Sequence, residues 1–315
     1  MISDVKEDCH NDVYEAKYRS KTDLVDNYIF DLKLQQLRPH TIENYVSDVN
    51  HFLKHIKSPT SIGQGDLQKY LHVLLGSELA DSTLKSYFIS LNSFYDFLVY
   101  DGYCQKNPIP PFRKRYLPRR EVQQKRQTVD LFIAQKIIKR TGHILDKTIH
   151  ALFAKTGIRR EELIILKKDD LHLSEEYIKG PVTGKRLEHR HLFLDTEMME
   201  IMLDYLDWRD EYAKSDYLFI SPAGSKLHKD YPGRYLRKVG EELGIHDHNG
   251  PLDARLTPHC WRHFFTTQMH KGKMDPEYIK YLRGDIMTRE AWEIYNHLDI
   301  EDIRRAYLMC SPKLL

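Results

Sequence analysis

The chain has 315 residues, more than one typical domain needs, so two compact units are expected. Its 41% hydrophobic and 30% charged residues exclude an intrinsically disordered chain, and no apolar run reaches the roughly 20 residues of a membrane helix. The formal net charge of +2 decides little about partners for the chain as a whole.

The cysteines and the first residues bear on where the protein works. Cys9, Cys104, Cys260 and Cys310 are scattered without a CxxC pair, which argues against a disulfide framework and a cysteine-based zinc site. The polar start, Met1–Asp4, lacks the apolar core of a signal peptide. We therefore expect a cytoplasmic protein that does not associate with membranes.

Residues 1–20 are polar, and four amphipathic helical patterns follow them in residues 21–107. In each pattern, apolar residues recur at the spacing of one helix face. Short connections between four such helices predict a compact helical bundle. The strongest pattern consists of Ile42, Tyr45, Val46, Val49, Phe52, Leu53 and Ile56.

A proline-rich stretch, Asn107–Pro111, follows the fourth pattern and interrupts regular structure, because proline fixes φ and lacks an amide donor. Residues 108–128 are therefore expected to form an extended linker. Their cluster of positive charge suits a phosphate backbone, although a merely solvated linker has the same composition. The expected DNA contacts are Arg113, Lys114, Arg115, Arg119 and Arg120.

Residues 129–315 predict a second, mostly helical domain with one small β-sheet. Two short strands are expected between Tyr177 and Leu194, on either side of a turn at Thr183 and Gly184. The predicted fold class is thus mainly α: a helical bundle followed by an α+β domain.

Two basic residues in this domain are candidates for chemistry on a phosphate. Arg159 follows Gly157 at a helix boundary, where a guanidinium can bind a phosphate bidentately and keeps its charge. Glu162, three residues later, is placed to hold that side chain. Lys185, in the predicted turn, could donate a proton to a leaving oxygen. Taken alone, each cation is more often an ordinary surface residue.

A helix start further along the chain offers a second anion site. Thr257 suits an N-cap and Pro258 a first helical position. His259 and Arg262 then share one face of the first turn, where the positive helix end favours an anion. His259 and His263 could instead bind a metal, but this turn contains no carboxylate to complete such a site.

A tyrosine near the C-terminus, Tyr295, completes the set, although it is one of 20 tyrosines and nothing in the residue itself selects it. These pieces, in this order, resemble the tyrosine recombinase and phage integrase family, particularly its Xer-like and archaeal members, from about Lys21 to the end. The resemblance implies that the catalytic residues are Arg159, Lys185, His259, Arg262 and Tyr295.

The family's known chemistry then implies how this chain works. Residues 21–107 would form its SAM-like core-binding domain, and residues 129–315 its catalytic domain. Tyr295 would form a 3′-phosphotyrosyl intermediate on double-stranded DNA, without a metal or another cofactor. A homotetramer on synapsed sites would carry out integration, excision or resolution. The apolar stripe after Tyr295 would pack on its own domain or on a neighbouring subunit.

One position departs from the family pattern. Where the family has a phosphate-contacting histidine or tryptophan, this chain has Asp285, and the spacing to Tyr295 is about one residue longer. An ionised carboxylate cannot donate a hydrogen bond to phosphate. Either Arg283 or His263 substitutes for it, or Asp285 acts by orienting an arginine.

Three alternatives stay open at this stage. A type IB topoisomerase-like relaxase would share the chemistry, and a non-catalytic DNA-binding protein would share the scaffold. A metal-dependent nuclease would use His259 and His263. If Tyr295 is not the nucleophile, Tyr307 is the next candidate.

Overall fold

A computed structural model of the protein describes residues 20–77, 79–117, 127–182, 189–285 and 299–315. The chain divides into two compact units, Met1–Gln123 and Gln124–Leu315. The expected fold class is confirmed, since both units are mainly helical and the second contains a small sheet. The domain boundaries expected at residues 20, 107 and 128 stay predictions. Within the described ranges, no helix is both long and apolar enough to cross a membrane.

The first unit is a bundle of helices around one apolar core. Its described residues include six fully buried large aromatic side chains: Tyr28, Phe52, Tyr70, Phe88, Phe94 and Tyr95. Burying each of them contributes about 1.5–3 kcal/mol. The helices are α1 (Lys21–Leu34), α2 (Pro39–Leu53), α3 (Gln64–Leu75), α4 (Asp81–Tyr100) and α5 (Ile109–Tyr116).

Helix α5 shows that the extended conformation expected from residue 108 onward is wrong for residues 109–116. Prolines stand only at the N-cap and in the first turn of this helix, where a missing amide costs no helical hydrogen bond. Ile109 and Phe112 are buried in the core of the first unit. The basic residues Arg113, Lys114 and Arg115 lie on the remaining, more exposed side of α5. Arg119 and Arg120 lie outside the described residues.

The second unit combines helices with one antiparallel sheet. Short 3-10 turns lie at Lys168–Asp170 and Leu252–Ala254. The other elements are α6 (Leu131–Lys139), α7 (Ile144–Thr156), α8 (Arg160–Leu163), β1 (Leu171–His172), β2 (Tyr177–Gly180), β3 (Arg190–Phe193), α9 (Thr196–Tyr212), α10 (Tyr231–Glu242), α11 (Pro258–Lys271), α12 (Pro276–Arg283) and α13 (Ile300–Cys310).

The sheet has the order β1-β2-β3 and confirms the two predicted strands. Ile178 pairs with Leu192, and Gly180 pairs with Arg190. Strand β1 was not predicted, because two residues are too short to show an alternating pattern. Helix α7 is buried on all sides from Thr148 to Thr156 and packs against α9 and α11, so it forms the centre of the unit.

The last residues of the chain belong to the core of this same unit. Leu314 is fully buried there. The ammonium of Lys155, also fully buried, donates to the carbonyl of Pro312 at 2.9 Å. It pairs with Asp195 and Glu197, each at 2.6 Å. Of the C-terminal stripe itself, Ile303 and Tyr307 are buried in one cluster with Phe265 of the same unit, so these two residues pack on their own domain, and contact of the stripe with a neighbouring subunit stays a prediction.

Candidate active site

The arrangement begins with a sharp turn at the end of α7. Gly157 caps that helix with a left-handed φ of +61°. A Cβ there would stand 2.6 Å from the ring of Phe265, so the turn requires glycine. The chain then places Arg159 at the N-cap of α8, with its side chain 41% exposed. The turn thus presents this guanidinium at the surface of the unit.

Arg262, which belongs to α11, lines the same cavity as Arg159. The predicted helix start is confirmed, with Thr257 at the N-cap and Pro258 as the first residue. The Arg262 side chain is 6% exposed. Its Nη1 donates to the carbonyls of Gly157 and Arg283, both at 2.8 Å. Burial lowers the pKa of Arg262 to about 10, helped by the positive charge of Arg159, so Arg262 stays charged at neutral pH.

Asp285 joins the two arginines. Its Oδ1 accepts from Nη2 of Arg159 at 3.1 Å and from Nη2 of Arg262 at 2.5 Å. Its Oδ2 lies 3.2 Å from Nε of Arg283. The carboxylate therefore reduces the repulsion between the guanidinium groups and fixes their orientation. We call Arg159, Arg262 and Asp285 the arginine clamp.

Glu162 holds Arg159, one member of the clamp. The expected bond to Arg159 is present, from Nη1 to Oε1 at 3.0 Å. The other oxygen, Oε2, accepts from the Arg159 amide at 3.1 Å and from Nη2 of Arg190 at 2.6 Å. Arg190 was not among the residues selected from the sequence, although it belongs to this cluster.

The two histidines lie on the exposed side of α11. Their rings are 4.8 Å apart, and His259 lines an open cavity of about 330 Å³ together with both clamp arginines. His263 does not line this cavity. In the part of the chain that the structure describes, no group of three or more His, Cys, Asp or Glu residues is arranged to hold a metal ion. Three arginines, the His259 imidazole and one carboxylate, that of Glu161, thus border the cavity over the clamp.

Two of the expected catalytic residues lie outside the described residues. Lys185 belongs to the segment between β2 and β3, and Tyr295 to the segment between Asp285 and α13. Tyr307, the alternative nucleophile, is described: its side chain is 1% exposed, and burial raises its pKa above the ordinary value. A phenol so enclosed cannot reach a DNA strand, which removes Tyr307 as a candidate.

Chemically, the clamp is suited to an oxyanion. Arginine presents a planar fork of donors that matches phosphate bidentately. Two such groups converge from positions 159 and 262 beside one open cavity. A developing negative charge above the clamp would therefore be stabilised without reorganisation of the protein.

Comparison with known proteins gives two family matches. Residues 123–302 match the phage integrase family, and residues 25–102 match the phage integrase, N-terminal SAM-like domain. Tyrosine recombinase XerD of Listeria innocua is 23% identical over 308 residues, covering 90% of this chain and 98% of the relative. Tyrosine recombinase XerC of Azotobacter vinelandii is 26% identical over 293 residues, covering 89% and 92%.

Solved structures share the fold. A λ integrase dimer bound to a COC′ core site has a TM-score of 0.68 at 14% identity, covering 90% of this chain and 94% of that chain. A λ integrase tetramer bound to a Holliday junction also has a TM-score of 0.68, at 15% identity, covering 88% and 78%. Because one family model spans more than half of the sequence and a second covers most of the helical bundle, the chain belongs to the phage integrase family.

Proposed function

We propose that this protein is a site-specific DNA recombinase that cuts and rejoins DNA strands through a covalent bond between Tyr295 and a 3′ phosphate. The observation that carries the proposal is the arginine clamp: Arg159 and Arg262 share the Oδ1 atom of Asp285 and line one open cavity with His259. The names of the curated relatives, tyrosine recombinases XerC and XerD, support the same activity.

Cleavage of a phosphodiester by a phenol requires three contributions. The clamp arginines neutralise the non-bridging oxygens and stabilise the transition state. The Tyr295 hydroxyl, whose pKa is ordinarily near 10, is activated by their field and passes its proton to His259. Lys185 protonates the departing 5′ oxygen as the new phosphotyrosyl bond forms. Reversal of these transfers rejoins the strand, so the reaction needs no external energy source.

Asp285 has a definite place in this mechanism. The carboxylate orients the clamp arginines before DNA arrives, instead of contacting the phosphate itself. Its bonds to Arg159 and Arg262 support this role over direct phosphate binding. The donors that a family histidine or tryptophan would supply then come from the arginines.

We further propose double-stranded DNA as the partner and a homotetramer on paired sites as the working assembly. The shared fold with λ integrase, solved as a tetramer on a Holliday junction, supports this assembly. The basic side of α5, with Arg113, Lys114 and Arg115, would contact the phosphate backbone, and Arg119 and Arg120 would extend that contact. The cytoplasmic location stays a prediction from the sequence.

A nicked suicide duplex tests the proposal, because loss of a short fragment after cleavage traps the covalent adduct. The probe is a library of such duplexes with randomised sequence, incubated with the full chain in EDTA. The wild type should form a DNA-linked band, Tyr295→Phe should form none, and Tyr307→Phe should behave as wild type. An adduct with Tyr295→Phe would refute the assignment.

Binding, relaxation and metal-removal experiments with the same protein separate the alternative functions. A non-catalytic DNA-binding protein would shift the duplexes without any adduct. A type IB-like relaxase would relax a supercoiled plasmid of unrelated sequence, whereas a recombinase needs its own site twice. A metal-dependent nuclease would be inactive in EDTA.

A further inference from the structure

Arg190 is a buried cation that the proposed mechanism does not use. It lies in β3, opposite Gly180 in the sheet, and its side chain is 1% exposed. A charge removed from water costs several kcal/mol unless it is paired and hydrogen-bonded. Its position therefore requires partners of matching geometry.

The partners of Arg190 connect two parts of the arginine clamp. Its Nη2 donates to Oε2 of Glu162 at 2.6 Å, and its Nε donates to the carbonyl of Leu282 at 2.9 Å. Glu162 is 1% exposed and holds both the amide and the Nη1 of Arg159. Leu282 comes three residues before Asp285. One guanidinium thus joins Glu162, which binds Arg159, to the C-terminal end of α12, which leads into Asp285.

Two glycines leave the space that this guanidinium occupies. A Cβ on Gly284, whose φ is +63°, would stand 2.6 Å from Nη1 of Arg190. A Cβ on Gly180 would stand 3.0 Å from its Cγ. Strand β2 and the C-terminal end of α12 therefore each approach the Arg190 side chain at a glycine.

We propose that Arg190 is a positioning residue for strand cleavage, which acts on DNA only through Glu162 and the segment Leu282–Asp285 at the C-terminal end of α12. This inference rests on the proposed function. Without Arg190, the buried carboxylate of Glu162 loses a partner and that segment loses an anchor. Arg159 and Asp285 are then free to shift, and a misplacement of about 1 Å costs about 10²-fold in rate.

The test compares Arg190→Lys with Arg209→Lys. Arg209 is a matched control, since it lies in the same unit, is 3% exposed, and donates to the carbonyls of Ser215, Tyr217 and Leu218. Both variants keep the positive charge but lose the planar set of guanidinium donors, so both proteins should unfold at a lower denaturant midpoint than the wild type. Arg190→Lys alone should slow single-turnover cleavage of the suicide duplex by about 10²-fold at saturating DNA, with a DNA Kd within about threefold of wild type.

A double-mutant cycle adds a readout that loss of stability would not move. If Arg190 acts through Glu162, Glu162→Gln with Arg190→Lys should cleave no more slowly than the slower single variant. Equal cleavage by Arg190→Lys and Arg209→Lys would overturn the inference, as would two effects that multiply. In either case an adduct from the wild type would leave the proposed function standing, whereas no wild-type adduct would defeat both.

Discussion

Arg262 donates from Nη2 to Oδ1 of Asp285 at 2.5 Å, across 23 residues of sequence. Charge-assisted bonds of this length are among the stronger ones in proteins. A carboxylate at this position is therefore compatible with a phosphate site, because it contacts the cations that would hold the phosphate. The role of Asp285 in orienting the arginines can be separated experimentally from the effect of its negative charge.

Substitution of Asp285 should distinguish orientation from charge. Asp285→Ala removes the acceptor shared by Arg159 and Arg262, so single-turnover cleavage should fall by about 10²-fold. Asp285→Asn keeps an oxygen in place and should retain most of the rate. Removing one negative charge should also tighten DNA binding and steepen its salt dependence in both variants. Cleavage by Asp285→Ala at the wild-type rate would show that the carboxylate is dispensable.

Alanine at Gly284 should damage both stability and cleavage. Gly284 and Gly244 both have left-handed φ values, +63° and +67°, but a Cβ on Gly244 meets nothing within 4 Å. Gly244→Ala should therefore lose only about 1–2 kcal/mol of unfolding free energy. Gly284→Ala should lose more and should slow cleavage, since its methyl displaces Arg190. Urea unfolding and the suicide duplex measure the two effects, and identical behaviour of the variants would contradict the expectation.

His150 should make folding sensitive to mild acid. The ring is fully buried, accepts from Nε1 of Trp261 at 3.1 Å, and has its pKa lowered to about 3 by burial. The unfolded residue has a pKa of about 6.5, so below that pH the unfolded chain binds the extra proton. Stability from this group is thus complete above pH 6.5 and is lost as the pH falls toward 3.

Between pH 7 and pH 5 this single residue should remove about 2 kcal/mol of unfolding free energy. His150→Gln keeps an acceptor for Trp261 and should show a smaller pH dependence by that amount. The measurement is chemical denaturation at both pH values, and equal pH slopes for wild type and His150→Gln would refute the assignment.

Local spacing explains which parts of the fold could be predicted. The helices with repeated apolar positions, the start of α11 and the Arg159–Glu162 bond all depend on residues within one or two turns. Lys155 could not be interpreted in this way, because its partners Asp195 and Pro312 lie 40 and 157 residues away. Its role depends on tertiary packing alone.

Both Arg190 and helix α5 have a signal in the sequence. Leu192 and Leu194 face inward, and strand alternation places Arg190 on that same face, where a cation must be paired. Prolines restricted to the first turn permit a helix, as in α5. The choice among Asp285, Arg283 and His263 had no such signal, since it depends on how positions 159, 262 and 285 meet in space.

The docked C-terminal residues bear on the order in which the chain acquires its structure. Contacts such as Gln135 to Lys313, separated by 178 residues, can form only after most of the second unit has been brought together. Loop closure over such separations is entropically costly and slows folding, whereas a bundle of consecutive helices relies on nearer contacts. We therefore expect the first unit to fold quickly and early. The second unit becomes complete only when its final residues enter the core.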